Sequence, residues 1–284
     1  TLKLQSYSFG GGGLDLVSSL DLTGIGGSVN RVVASSKDIV YVAYASGGDT
    51  TLGTAEIDSE GQLSNWDSGS PITTAGEPQS IDVYNDENST KLVVTPNDPN
   101  EIVLVDVTAA PTVLDKISLT ELGGGAQRLR KAKFSADGTQ ILAALSRDSV
   151  QLITISGNSL TLASTLSALL FPSISQLSET EWAVGARPNF DDLAVISTVG
   201  NSLSIKDQRD DLGGGFATGG VAALSPTKIL NPGGIYGWDG TSLSLTSSHV
   251  WSFNLDTILF SSEKAFAASF DSDNGDEIFL IDSA

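Results

Sequence analysis

One phrase recurs six times along the chain and constrains the fold more than any other feature. Apolar residues lead into a polar turn opened by Ser or Asn, and a run of small and β-branched apolar residues follows. The copies are VVASSKDIVYVAY (32–44), DVYNDENSTKLVVT (82–95), AKFSADGTQILAAL (132–145), SQLSETEWAVGA (175–186), AALSPTKILN (222–231) and ILFSSEKAFAAS (258–269). The turn-opening residues are Ser35, Asn85, Ser135, Ser178, Ser225 and Ser261, at intervals of 50, 50, 43, 47 and 36. A strand–turn–strand unit repeating with a period in the forties is the signature of a propeller blade.

A second phrase falls between these copies: ITISGNSLTLA (153–163), ISTVGNSLSIK (196–206) and YGWDGTSLSLT (236–246), with a degenerate relative in EIDSEGQLSN (56–65). Apolar and polar residues alternate on both sides of Gly-Asn, Asp-Gly or Glu-Gly, which accept positive φ and mark a short hairpin. Each unit therefore has four strands: a and b joined at the Ser turn, c and d at the Gly turn. No segment sustains a helical period. The expectation is an all-β chain folded as one six-bladed β-propeller of four-stranded antiparallel blades, a single domain over 1–284. The last unit has room only for strands a, b and c. Residues 14–22 (LDLVSSLDL) are expected to supply its outer strand, so that the two termini close the ring by pairing and leave no open edge. Residues 1–13 remain either an arm or a further strand.

Composition limits the chemistry. Lys and Arg number 15 against 34 Asp and Glu, a formal charge of −19 that repels nucleic-acid phosphate and anionic membrane. Without Cys there is no disulfide scaffold, thiolate metal site or thiol nucleophile. No apolar run reaches the ~18 residues of a membrane span. Thr1, with neither initiator Met nor signal sequence ahead of it, is expected to be a processed start.

The unit FSADGTQILAAL and its copies resemble the blades of YVTN and WD-repeat-like propellers, in which a Ser-x-Asp-Gly turn precedes the central b strand. VAYASGGDTTLGTAEID (42–58) and VAALSPTKI (221–229) are similar to repeats of phage virion and tail-associated propellers. The regular Gly-His and Trp-Asp signposts of WD-repeat adaptors are missing. Trp66-Asp67 and Trp238-Asp239 lie in or beside c–d hairpins instead.

Candidate functional residues concentrate in the b–c connections, which are expected to be longer than the a–b and c–d turns. They are SGGDTTLG (46–53), NDPNE (97–101), RDS (147–149), RPNFDD (187–192), NPGG (231–234) and DSDNGD (271–276). Asp49, Asp98, Asp148, Arg187, Asn189, Asp191 and Asp273 are the expected contacts for a partner, and with Asp192 and Asp276 the carboxylates would line one acidic mouth. Two accounts of these loops stand side by side. Their oxygens suit hard cations, and Asp and Asn also populate exposed loops for turn chemistry alone. DSDNGDE (271–277) resembles an EF-hand opening but is out of phase, with Gly275 in the third ligand position.

The glycine runs at 10–13, 24–27, 123–125 and 213–215 lack the Gly-Lys-Ser/Thr or strand–helix context of a phosphate cradle and read as turn punctuation. His249 has no nucleophile at a legible spacing. The four Trp read as blade packing, and Asn88-Ser89-Thr90 is a glycosylation sequon in an acidic turn. No catalytic residue, metal or cofactor is expected. The reading is a non-enzymatic binding or structural module of an extracellular or virion surface. It would dock a protein or glycan through the b–c/d–a face, with neither nucleic-acid binding nor membrane insertion. The alternative is a propeller hydrolase or lactonase with calcium held by carboxylates in a central channel.

Overall fold

The structure, a computed structural model, describes residues 2–10, 13–25, 31–36, 38–72, 76–96, 101–118, 129–145, 149–167, 173–185, 193–209, 221–231, 234–248, 255–261, 264–271 and 275–282. It opens with a hairpin, β1 (Lys3–Gly10) and β2 (Gly13–Asp21). The first four-stranded sheet is β3 (Arg31–Ser35), β4 (Ile39–Ser46), β5 (Asp49–Ile57) and β6 (Leu63–Pro71). The second is β7 (Pro78–Asn85), β8 (Thr90–Pro96), β9 (Glu101–Asp106) and β10 (Thr112–Ser118). The third is β11 (Leu129–Phe134), β12 (Gln140–Leu145), β13 (Ser149–Ser156) and β14 (Ser159–Ser167). The fourth is β15 (Ser173–Gln176), β16 (Glu181–Gly185), β17 (Leu193–Ser197) and β18 (Ser204–Arg209). The fifth is β19 (Ala222–Ser225), β20 (Lys228–Asn231), β21 (Gly234–Trp238) and β22 (Leu243–Ser248). A three-stranded sheet follows, β23 (Leu255–Ser261), β24 (Lys264–Asp271) and β25 (Gly275–Asp282). Strands neighbour one another in chain order throughout, so a, b, c and d fall where the repeat placed them.

By contact the chain divides into two compact units, Thr1–Phe134 with Ser156–Leu160, and Ser135–Ile155 with Thr161–Ala284. Within each, burial follows strand position. The b and c strands are apolar and buried on both faces. Leu92, Val93 and Val94 in β8 and Ile102 to Val105 in β9 are wholly buried. The d strands alternate, as in β14, where polar residues face water between half-buried aliphatic ones. In the first unit, Tyr41, Ala43 and Leu52 pack on Leu92, Val94, Val103 and Val105. In the second, Leu142, Ala144, Val150 and Leu152 meet Trp182, Val184, Ala194 and Ile196.

Successive sheets are also clasped at their outer strands by one repeated bond. The backbone N–H of Leu160 donates to Asp115 Oδ2 (2.7 Å), that of Leu203 to Ser164 Oγ (3.1 Å) and that of Leu243 to Asp207 Oδ2 (2.6 Å). In each case a leucine at the start of a d strand is held by a side chain of the preceding d strand. The acceptors Asp115 and Asp207 directly follow a β-bulge in their ladders, at Leu114 and Lys206. The extra residue turns the next side chain out of strict alternation and toward the following sheet.

The hairpin joins this scheme. Leu63 at the start of β6 donates its N–H to Ser18 Oγ (3.1 Å), and Ser18 follows a bulge at Val17 in β2. Residues 14–22 thus behave toward the first sheet as an outer d strand, as expected. The expected pairing of this segment with the C-terminal strands is corrected, however. β2 lies in a two-stranded sheet with β1, and β23, β24 and β25 form a separate three-stranded sheet. β1 runs antiparallel to β2, from Lys3 opposite Asp21 to Gly10 opposite Gly13, and takes that partnership locally.

Loop lengths require a second correction. The b–c connections at 47–48, 97–100, 146–148, 186–192, 232–233 and 272–274 hold two to seven residues, and the a–b turns hold two to five. The long connections are d–a: 22–30, 72–77, 119–128, 168–172, 210–221 and 249–254. Strands b and c are hydrogen-bonded neighbours that a hairpin can join. The d–a chain must return across three strand spacings of ~4.8 Å each.

Candidate functional site

The a–b and c–d turns use their carboxylates to build themselves. Asp58 Oδ1 accepts the N–H groups of Glu60 and Gln62, and Asp86 Oδ1 those of Asn88 and Ser89. Asp106 accepts from Thr108, Asp137 from Thr139, and Asp239 from both Thr241 and Ser242. The side-chain hydroxyls of Ser89, Ser135, Thr139, Thr241 and Ser242 add further bonds to these carboxylates. These are Asx turns. They hold Asp86, Asp106 and Asp239 below the usual carboxylate range, through donated backbone and hydroxyl hydrogen bonds. At Asp137 burial pushes upward, but the bonds from Ser135 and Thr139 outweigh it and the net shift is down.

The opposite face is represented by the b–c hairpin of the first sheet. Gly47 and Gly48 take positive φ of 63° and 95°, the two-residue turn that matches strand twist. The turn is fastened to the neighbouring d–a segment. Thr50 Oγ1 donates to Gly76 O (2.7 Å), Gly76 N–H to Gly48 O (2.8 Å) and Ile72 N–H to Thr50 O (2.9 Å). Asp49 sits between these fixed points, half-buried. Among the described residues its carboxylate accepts no hydrogen bond, in contrast to the turn carboxylates of the other face. Of the expected contacts, Asp49 alone falls among the described residues. Asp98, Asp148, Arg187, Asn189, Asp191 and Asp273 lie outside them, as do Asp192 and His249. Asp276 is in β25, opposite Phe270.

The described tryptophans are packing residues. Trp182 is wholly buried, and Trp238 donates its Nε1–H to Glu181 Oε2 (3.0 Å). Trp66 lies against Tyr44 with ring centroids 6.5 Å apart and donates to Thr23 O (2.9 Å). Its ring covers Gly53, where a Cβ would run into the indole. Trp251 is outside the described residues.

Sequence reasoning did not find the inner-strand contacts. In the first unit Ser80 Oγ accepts the N–H of Ala132 (3.0 Å) and Asp82 Oδ2 that of Phe134 (2.9 Å). In the second, Ser173 and Ser175 accept from Val221 (3.0 Å) and Ala223 (2.9 Å). Side chains at alternate positions of one a strand thus grip the backbone of the next. Burial pushes the Asp82 carboxyl up, against the downward pull of Lys133, the Phe134 N–H, Lys131 and the Val83 N–H. The available signal was Ser-x-Asp (80–82) and Ser-x-Ser (173–175), each ahead of a turn opener.

No family model matches this sequence, and no curated protein matches it. Solved structures do. A candidate 6-phosphogluconolactonase from Bacteroides uniformis is similar at TM-score 0.66 and 16% identity, over 86% of this chain and 77% of that one. The periplasmic gluconolactonase PpgL of Pseudomonas aeruginosa aligns at TM-score 0.64 and 16% identity, over 88% and 78%. The β-propeller domain of Cps50 (Swd1) from Myceliophteria thermophila aligns at 0.61 and 12%, over 95% and 87%. Identities this low speak to the fold alone. With the sheets in the order described, the chain is a β-propeller, similar in fold to both WD-repeat and 6-phosphogluconolactonase-like propellers.

Proposed function

We propose that this protein is a binding or structural module that docks a protein or a glycan through its b–c/d–a face. The observation that carries the reading is the contrast between the two faces. Several carboxylates on the a–b and c–d turns are consumed in Asx turns, whereas Asp49, beside a hairpin fastened at Gly48 and Thr50, accepts no hydrogen bond among the described residues. Rigidly held loops are where recognition residues concentrate. The reading also includes Asp98, Asp148, Arg187, Asn189, Asp191 and Asp273, which follow b-strand segments in the sequence as Asp49 does. The setting, an extracellular or virion surface, rests on the likeness of 42–58 and 221–229 to phage virion repeats. The test is charge reversal. Asp49→Lys with Asp273→Lys should weaken binding of the labelled protein to an oligosaccharide array and to intact source cells. Glu179→Lys with Glu263→Lys, on the a–b turns, should leave binding unchanged. The opposite pattern sinks the reading.

A second reading is a propeller hydrolase or lactonase using carboxylate-bound calcium. It draws on the fold shared with the gluconolactonase PpgL. Calcium-dependent opening of gluconolactone by the purified protein would favour it over docking.

A further inference from the structure

Where β4 turns into β5, the first sheet leaves three oxygen-bearing side chains without partners. In that ladder Ser46 stands opposite Asp49 and Tyr44 opposite Thr51, with no register shift. Cross-strand partners and alternate residues of a strand share one face. Ser46, Asp49 and Thr51 therefore lie together on the face of β5 that is shared with Tyr44. The other face carries Thr50, bonded to Gly76 O, and Leu52, packed on the second sheet. Thr51 is 4% exposed, yet its Oγ1 has no hydrogen-bond partner among the described residues. An orphaned buried hydroxyl is costly and rare in a native fold. Thr50, beside it, shows that this segment engages a threonine hydroxyl where an acceptor is in reach. Asp49, half-buried, and Ser46, exposed, likewise form no side-chain hydrogen bond among the described residues. The set thus grades from open Ser46 through Asp49 to covered Thr51.

We propose that Ser46, Asp49 and Thr51 bind a neutral sugar through two adjacent hydroxyls. The proposal rests on the docking reading of this face and names a glycan, not a protein, as the occupant. The balance of donors and acceptors selects the ligand. Asp49 only accepts, whereas the hydroxyls of Ser46 and Thr51 both donate and accept. A lysine ammonium only donates, so it leaves both hydroxyl hydrogens unused. Adjacent sugar hydroxyls donate to the carboxylate and accept from Ser46 and Thr51, the latter reached directly or through one water. One carboxylate and two hydroxyls fall short of the roughly six or more oxygens that calcium takes. The formal charge of −19 selects against sialic and uronic acids.

NMR titration with methyl α-mannopyranoside and methyl β-galactopyranoside, each carrying vicinal hydroxyls, tests this, with Nα-acetyl-lysine amide as the ammonium probe. At least one sugar should shift the amide signals of Ser46, Asp49 and Thr51. Thr51→Val should weaken sugar binding about three- to tenfold. It should leave Tm unchanged or raised, because it removes an unsatisfied hydroxyl, whereas a misfolded variant would lose both. Asp49→Asn should weaken binding about tenfold or more, the loss of a charge-assisted bond. Ser19→Ala, at an exposed position on β2, should change nothing. No response to either sugar, shifts from the lysine amide alone, a lower Tm in Thr51→Val or wild-type affinity in Asp49→Asn overturns the proposal. Cell binding that charge reversal at Asp49 and Asp273 removes, and that neither sugar competes, keeps docking and overturns the sugar assignment. Sugar-induced shifts with cell binding untouched by that reversal keep the sugar site and sink docking.

Discussion

Replacing Asp207 by Ala tests whether the outer-strand clasp holds successive sheets together. Asp207 Oδ2 accepts the N–H of Leu243 at 2.6 Å, and Leu243 is 0% exposed. Arg209 donates to the carbonyl of the same leucine through Nε and Nη2, so the variant removes one of two grips and strands a buried donor. An unsatisfied buried N–H costs about 1–3 kcal/mol. For a cooperative unit of this size each kcal/mol lowers Tm by ~2–4 °C, so the drop should be ~2–12 °C. Strand propensity acts the other way, because Asp is among the residues most depleted in strands. A fall cannot therefore be charged to the alanine. Asp207→Asn keeps an acceptor oxygen and should recover most of the loss. The control is Asp67→Ala, at an exposed position whose bond to the Gly69 N–H (2.9 Å) water can replace; its effect should stay within ~0.5 kcal/mol. Scanning calorimetry on the three variants decides. Equal Tm values for Asp207→Ala and Asp67→Ala, or an Asn variant as damaged as the Ala one, would refute the clasp.

Further outcomes follow from the same geometry. Gly53→Ala should cost about 1–3 kcal/mol by overpacking, because the Trp66 ring must leave Gly53 and loosen its bond to Thr23; denaturant midpoints and Trp fluorescence report both. Asp82 has a folded pKa above its unfolded one, so its favourable contribution is present below the unfolded value near ~3.9 and is lost as pH rises through the folded value. Asp82→Asn, which retains an acceptor for the Phe134 N–H, should therefore raise Tm at pH 7 and lose that advantage in acid; an unchanged difference across pH would contradict this. Asp86, Asp106, Asp137 and Asp239 behave oppositely: their depressed folded values give stability that is present above ~pH 4 and disappears as pH falls through them. Asp239→Asn should flatten the acid limb of a Tm-versus-pH curve relative to wild type.

Strand count and order were legible because the b and c strands are continuous apolar runs bounded by residues that demand a turn. Ser135 shows why the phrase repeats: its N–H donates to Gln140 O, and its hydroxyl accepts the Gln140 N–H while reaching Asp137. The hydroxyl is therefore part of the turn. The partner face was less legible. Asp and Asn are used in two ways, as Asx-turn builders and as open side chains, and composition alone does not separate Asp49 from Asp86. What separates them is the residue two places on. Asn88, Thr108, Thr139 and Thr241 offer an N–H back to the aspartate, whereas Asp49 begins a strand and the N–H of Thr51 is directed by its ladder with Tyr44. Loop length misled because hairpin b–c joins and crossing d–a joins were counted on one scale.

The clasps have a linear signature that explains both their regularity and one gap. In two d strands the residue whose N–H is held and the side chain that holds the next one stand four residues apart, Leu160 and Ser164, Leu203 and Asp207, and the same spacing separates Leu14 from Ser18, Leu63 from Asp67 and Leu243 from Ser247. The second sheet departs from it, because Pro111 stands four residues before Asp115. Proline has no N–H to donate. Asp67, the acceptor that this spacing assigns to position 111, instead caps the N–H of Gly69 within its own strand. The exception follows the chemistry of the rule: where the donor is missing, the acceptor finds another. The outer-strand Ser18, Asp115, Ser164 and Asp207 thus satisfy backbone amides of the following d strand. The pattern also places β2, with Leu14 and Ser18 at the same spacing and Ser18 on Leu63, among the d strands on chemical grounds that do not depend on which strand pairs along its edge.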